Sequence, residues 1–235
     1  MKKESIVMGI AGLILGLVLG LAVPKLMGEK QQTAEAPPSP EHQEETAPKA
    51  PSPEQLNHVI GQYQKMLKDD PNNIQTLLEL GGVYYSAQRF DEAITTIQKV
   101  IALDDKKHEA YIQLGNISYD TGKAQAAVEY YQKALELNPK MSDVRTDMAT
   151  MYRKLGQFDN AIAELRRVNE SDFNHYIAHL NLGIILRDDK KDLPGAKAAW
   201  GNFLKVMPGG PQAEQVKQMI AELDKQIAGQ ATKTN

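Results

Sequence analysis

Cysteine is absent from the 235-residue chain. That excludes thiol nucleophiles, disulfides and cysteine-held zinc or iron–sulfur centres. The absence suits either redox compartment, so it does not locate the protein. Positive charge is not in surplus either. The formal net charge is -3, with 42 % hydrophobic and 24 % charged residues, and such a chain has no electrostatic reason to bind nucleic acid. The P-loop, GxSxG and dinucleotide fingerprints are missing, as is any paired-carboxylate arrangement with an orienting partner. No catalytic residue and no cofactor is assigned, and the chain is read as a non-enzyme. His175 and His179 stand four apart, as zinc ligands can. Tyr176, Ile177 and Ala178 between them offer no general base, so no metal is assigned. Met8, Met66, Met141, Met148 and Met151 are read as scattered core fillers, and Trp200 as core.

What is present begins with a long apolar run. Residues 5–23, "SIVMGIAGLILGLVLGLAV", carry no charge and follow Lys2, Lys3 and Glu4. As a helix the run spans about 28 Å, close to the hydrocarbon thickness of a bilayer. It is expected to be a retained transmembrane anchor behind a cytoplasmic tail, residues 1–4. The lysines of that tail orient the rest of the chain outside the cytoplasm, in the periplasm of a bacterium. The alternative is a cleaved secretory signal, with "GLA" at Gly20 to Ala22 as the cleavage site, leaving a secreted protein. Gly12, Gly16 and Gly20, at four-residue spacing, offer a face on which two such helices can pack, so a homo-oligomer through them is a further expectation.

Residues 24–53 form a Pro/Glu-rich linker without the apolar surface to fold. Its prolines favour extended conformations, and it is expected to act as a disordered spacer.

Beyond it the chain repeats itself every 34 residues. Leu77, Leu80, Gly81 and Tyr84 make one helix stripe, and Ala93, Ile97 and Val100 a second. Tyr111, Leu114, Gly115 and Ser118 are answered by Ala127, Tyr131 and Ala134. Arg145, Met148, Ala149 and Tyr152 are answered by Ala161, Leu165 and Val168. His179, Leu182, Gly183 and Leu186 are answered by Ala196, Trp200 and Phe203, one residue late. Small residues at Gly81, Gly115, Ala149 and Gly183 admit the second helix of each pair, and the alanines opposite meet them. Gly122 and Gly156 suit turns at positive φ. Pro71, Pro139 and Pro208 stop second helices.

These residues resemble the tetratricopeptide repeat (TPR) family over roughly residues 54–208. Phe173 in place of a proline, Arg145 in place of an aromatic and Ser118 in place of a tyrosine depart from its pattern. The resemblance implies an all-α fold, a right-handed solenoid of antiparallel helical hairpins. Its expected parts are a half-repeat helix at 54–71, repeats at 74–107, 108–141, 142–175 and 176–210, and a capping helix at 212–228. In that cap Val216, Ile220, Leu223 and Ile227 share one face.

The resemblance also implies a function. First helices of such repeats line a concave groove that holds a protein or peptide partner. By that analogy the groove comprises Leu78, Tyr85, Ile112, Asn116, Tyr119, Thr150, Arg153, Lys154, Leu180 and Arg187. Arg153, Lys154 and Arg187 are expected to meet an acidic segment of the partner. TPR domains that hold a chaperone's C-terminal carboxylate use lysine, asparagine and arginine on these helices. Asn116 matches, but Leu78, Gly82, Asp143 and Asp147 stand at the other positions, so that activity is not expected. The reading is therefore a membrane-anchored TPR scaffold or adaptor. Its layout of anchor, linker and repeats is also similar to the TPR domains of bacterial c-type cytochrome maturation, which present an unfolded client. A self-assembling TPR oligomer is the remaining alternative.

Overall fold

A computed structural model of the chain describes residues 51–231. The predicted tail, the apolar span with Gly12, Gly16 and Gly20, and most of the linker lie outside the described residues. Among the described residues there are ten α-helices, no strand, and no helix long and apolar enough to cross a membrane.

A single helix, α1 (Pro53–Asp69), precedes four hairpins. These are α2 (Ile74–Ser86) with α3 (Phe90–Leu103), α4 (His108–Asp120) with α5 (Ala124–Leu137), α6 (Ser142–Lys154) with α7 (Phe158–Ser171), and α8 (Tyr176–Asp188) with α9 (Leu193–Val206). A last helix, α10 (Pro211–Ala231), closes the series. Side-chain oxygens start several of them. Ser52 and Gln55 form a reciprocal capping box on α1, Asn73 caps α2, and Asp192 caps α9 just ahead of Pro194; such caps satisfy amide groups that have no partner inside the helix.

The hairpin turns share one backbone conformation. Gly122 and Gly156 both have φ of +73°, as their sequence position implied. In the first and fourth hairpins the same left-handed place is held by Gln88 and Lys191, each at φ +57°. A side chain there costs on the order of 1–2 kcal/mol relative to glycine. The repeat geometry imposes the conformation in spite of the residue.

Interlocking within each hairpin follows from size. Ala93, Ala127, Ala161 and Ala196 are all wholly buried. A β-carbon added at Gly81, Gly115 or Gly183 would run into Ile97, Tyr131 or Trp200 respectively. The large side chain of the second helix therefore lies directly on the bare backbone of the first. Trp200 also donates its indole N–H to the Leu180 carbonyl at 3.1 Å, and Tyr131 its hydroxyl to Asn116 Oδ1 at 2.9 Å. Between successive units, Gln64 donates to the Tyr84 hydroxyl and Gln132 to that of Tyr152. Buried tyrosines thus keep partners for their polar ends.

The departures in the third unit have local explanations. Arg145 forms a 2.5 Å pair with Glu164 of α7, and Glu164 is also bonded by Arg167. An ion pair replaces aromatic packing between the two helices of that hairpin. Phe173 meets the His179 ring edge-to-face at 4.8 Å between centroids, and its carbonyl accepts from His179 Nε2 at 2.9 Å. His175 bonds Asp143 instead, so the two histidines serve separate partners. Ser118 is buried; nothing in the structure explains its replacing a tyrosine. Met66 is corrected: it is 52 % exposed rather than core, because no helix among the described residues packs over that side of α1.

Neighbouring first helices touch: α2 packs on α4 and α6 on α8, while comparable packing between second helices is absent among the described residues. The first helices therefore make the crowded inner side of the stack, and the second helices its outer side.

Candidate functional site

The inner face is built from one edge of α2, α4, α6 and α8, and the 34-residue period puts equivalent residues on adjacent rungs. Tyr85, Tyr119, Arg153 and Arg187 form one such row, and Ser86, Asp120, Lys154 and Asp188 the row beside it. The rows are tied diagonally between one repeat and the next. Tyr85 donates its hydroxyl to Asp120. Lys154 places its ammonium 5.0 Å from the centre of the Tyr119 ring. Arg153 bonds Asp189 at 2.6 Å and approaches Asp188 at 3.6 Å. Gln113 donates to the Leu78 carbonyl at 3.0 Å, closer to the middle of the face.

Against this geometry the ten expected groove residues divide. Tyr85, Ile112, Asn116, Tyr119, Thr150, Leu180 and Arg187 are half-buried on first helices, as are Gly82 and Ile184. Leu78 is corrected: only 5 % exposed, it belongs to the core with Leu77, Ile97, Val100, Ala110 and Leu114. Its place one residue after Leu77 turns it toward the next hairpin. Thr150 returns its hydroxyl to the Thr146 carbonyl, and Asn116 accepts from Tyr131. The basic residues do not wait for an acidic segment. Arg153 is held by Asp188 and Asp189, Arg187 is bonded to Asp188 at 2.5 Å while lying over Trp200, and Lys154 sits on Tyr119.

The acidic residues of the face stand out instead. Asp147 on α6 is half-buried and has no hydrogen-bond donor among the described residues. Burial, reinforced by the Asp143 and Asp120 carboxylates and opposed by His175, pushes its carboxyl up to about 7. Around it burial also raises the hydroxyl pKa of Tyr85, Tyr119 and Tyr131, with Asp147 adding to each shift. Partial burial without a donor favours the neutral form of a carboxyl.

Sequence profiles of the tetratricopeptide repeat match residues 73–140 and residues 118–182, which together run from the cap of α2 into α8. Residues 73–182 are tetratricopeptide repeats. The stacked TPR hairpins present a surface for protein–protein interaction. The crystal structure of MamA is 28 % identical, covers 66 % of this chain and 90 % of its own, and superposes with a TM-score of 0.62. YrrB, described as a TPR protein with an unusual peptide-binding site, is 22 % identical, covers 70 % and 84 %, and scores 0.60. TTC0263, a thermophilic TPR protein of Thermus thermophilus, is 16 % identical, covers 72 % and 91 %, and scores 0.52. The last two share the TPR fold alone. A comparison with curated proteins gave no match.

Sequence reasoning finds the TPR face but takes its paired basic residues for free anchors. Asp120, Asp143 and Asp147 are visible at groove positions, yet the three basic residues draw the assignment as anchors. The signal that separates them is the period itself. Asp188 lies 35 residues after Arg153, and Lys154 lies 35 after Tyr119, so these two bases meet partners one rung away, while Arg187 pairs with its own neighbour Asp188.

Proposed function

We propose that this protein is a scaffold or adaptor that holds a partner protein on the inner face of its repeats while residues 5–23 tether it to a membrane, with the repeats on the extracytoplasmic side. The observation that carries the binding part is the set of half-buried side chains left on the first helices, Tyr119, Ile112, Leu180 and Ile184 among them. Amphipathic tyrosines beside aliphatic residues suit protein contacts, because they bury much area at small entropic cost. The tether rests on the length and apolarity of residues 5–23, and the Pro-rich linker would give the repeats reach away from the bilayer.

A photocrosslinking residue placed at Thr150, on the inner face, and another at Glu129, on the outer side of α5, test the binding surface in intact cells. The inner position should capture a defined partner set and the outer position should not. Identical sets from both positions would refute the inner face as the binding surface. Extraction of the full chain by carbonate washing, without detergent, would refute the tether.

A further inference from the structure

The apolar pattern of α1 continues onto a side that no described helix covers. Ile60 and Leu67 pack with Leu80 and Tyr84 of α2. Val59, Tyr63 and Met66, spaced four and three apart, share the neighbouring face of the helix. Val59 and Tyr63 are half-buried, and Met66 is 52 % exposed. The matching residues of α3, Ala93, Ile97 and Val100, are wholly buried because α2 and α4 both pack on that helix. A repeat series that ends in solution needs such a face sealed or polar.

Three observations narrow the occupant. Residues 40–52, which the 34-residue period assigns to the helix before α1, read PEHQEETAPKAPS and offer no large apolar side chain. The opposite end of the stack offers none either. Glu214, Lys217, Gln218 and Ala221 are exposed on α10, so copies have no apolar seat for joining head to tail. The charges of α1, finally, complement one another. Glu54 lies in its first turn, with Lys65 and Lys68 near its end, where Asp69 offsets one of them. Two such helices run antiparallel bring the acidic start of each beside the basic end of the other, and their dipoles oppose as well. Run parallel, they set like charges together.

We propose that two copies of this chain pair through α1, in an antiparallel two-fold contact that sets Val59 of each copy against Met66 of the other, with Gln62 and Tyr63 at the centre. The pair is closed, because such a contact uses one patch on both copies and leaves nothing for a third. One face of a 17-residue helix is small beside the roughly 1,200 Å² that a stable interface buries. The pairing is therefore weak, and the dilute chain is a monomer. It uses α1 alone and holds whatever the inner face binds.

The chain's lack of cysteine makes the test direct. Single cysteines are placed in the full chain, in nonionic detergent, and joined by mild oxidation. Gln62→Cys, at the centre, should give a covalent dimer whose yield rises with protein concentration. Gln55→Cys, at one end of α1, and Gln218→Cys, on α10, should give roughly tenfold less, since a disulfide needs Cβ atoms about 4 Å apart. Met66→Lys or Val59→Lys, added to Gln62→Cys, should each cut the dimer several-fold. Equal yields from Gln62→Cys and Gln218→Cys, or indifference to both lysine substitutions, overturn the pairing. Strong self-linking of Gln55→Cys overturns its antiparallel order. Preferential linking of Gln62→Cys copies to Thr150→Cys copies would seat α1 in the inner face of a second copy, and overturns the two-fold contact. Resistance of Gln62→Cys to maleimide with no covalent dimer makes residues 1–50 of the same chain the occupant, and overturns the proposal outright.

Discussion

The two end helices of the stack face the same problem and solve it differently. Each has a neighbour on one side only. On α10 the positions that in other first helices receive a partner (Leu77, Leu80, Gly81 and Tyr84 on α2) are occupied, counting from the helix start, by Glu214, Lys217, Gln218 and Ala221, all exposed. The inward residues Ala213, Val216 and Leu223 remain buried. On α1 the positions that in other second helices are sealed (Ala93, Ile97 and Val100 on α3) are Val59, Tyr63 and Met66, half-buried to exposed. One end is polar where a further helix would lie, and the other keeps its apolar pattern with no described helix over it. A linear stack needs a polar outer surface at each end to stay soluble and single. By that measure the C-terminal end is finished, and among the described residues the N-terminal end is not.

The largest test of this contrast compares one repeat position inside the stack and at its edge. Trp200→Ala should lower stability by about 3–5 kcal/mol, as for a wholly buried aromatic, whereas Tyr63→Ala at the matching place on α1 should lower it by about 1 kcal/mol. Denaturant titration reads both, and similar losses would show that α1 is as well covered as α9. A second pair probes the small-residue rule. Gly183→Val drives a side chain into Trp200 and should cost at least about 1–3 kcal/mol, while Gln218→Val at the matching place on α10 should stay within about 0.5 kcal/mol. Equal costs would mean that α10 is covered by something.

Midway between the ends, Asp147 gives an effect that should not depend on either. A carboxyl whose folded pKa lies above its unfolded value is neutral and harmless at low pH, and costs stability once it ionises. Stability should therefore fall as pH rises from about 4 towards 7. Asp147→Asn should remove that slope and stabilise the protein by about 1–3 kcal/mol at pH 8, with little effect at pH 4. An unchanged pH profile would show that Asp147 is solvated. The smallest effect belongs to the open end again: Met66→Lys should move stability by less than about 0.5 kcal/mol. A larger loss would identify a partner for that face.

How far the sequence can be read follows from which residues have a local signature. The hairpins are legible because Gly81, Gly115 and Gly183 recur at one interval opposite Ile97, Tyr131 and Trp200, and a period survives substitution at single positions. The turns are legible at Gly122 and Gly156 and silent at Gln88 and Lys191, where the surrounding stack forces a conformation that the residue itself disfavours. The candidate site is half legible. Its positions follow from the repeat, but Leu78 falls on the wrong side because two adjacent leucines, Leu77 and Leu78, are equally apolar. Only packing tells which hairpin each one meets.

The sequence by itself determined the architecture: small and large residues spaced 34 apart can be buried together only if each helix pair interlocks and the pairs stack. What tertiary structure alone decided is the character of the inner face. Whether a charge there is spent or spare depends on the residue one repeat away, so Arg153 is neutralised by Asp188 and Asp189 while Asp147 is left without a donor among the described residues. Distances across the stack, which composition and spacing along the chain do not encode, decide which of the charges on that face are already paired.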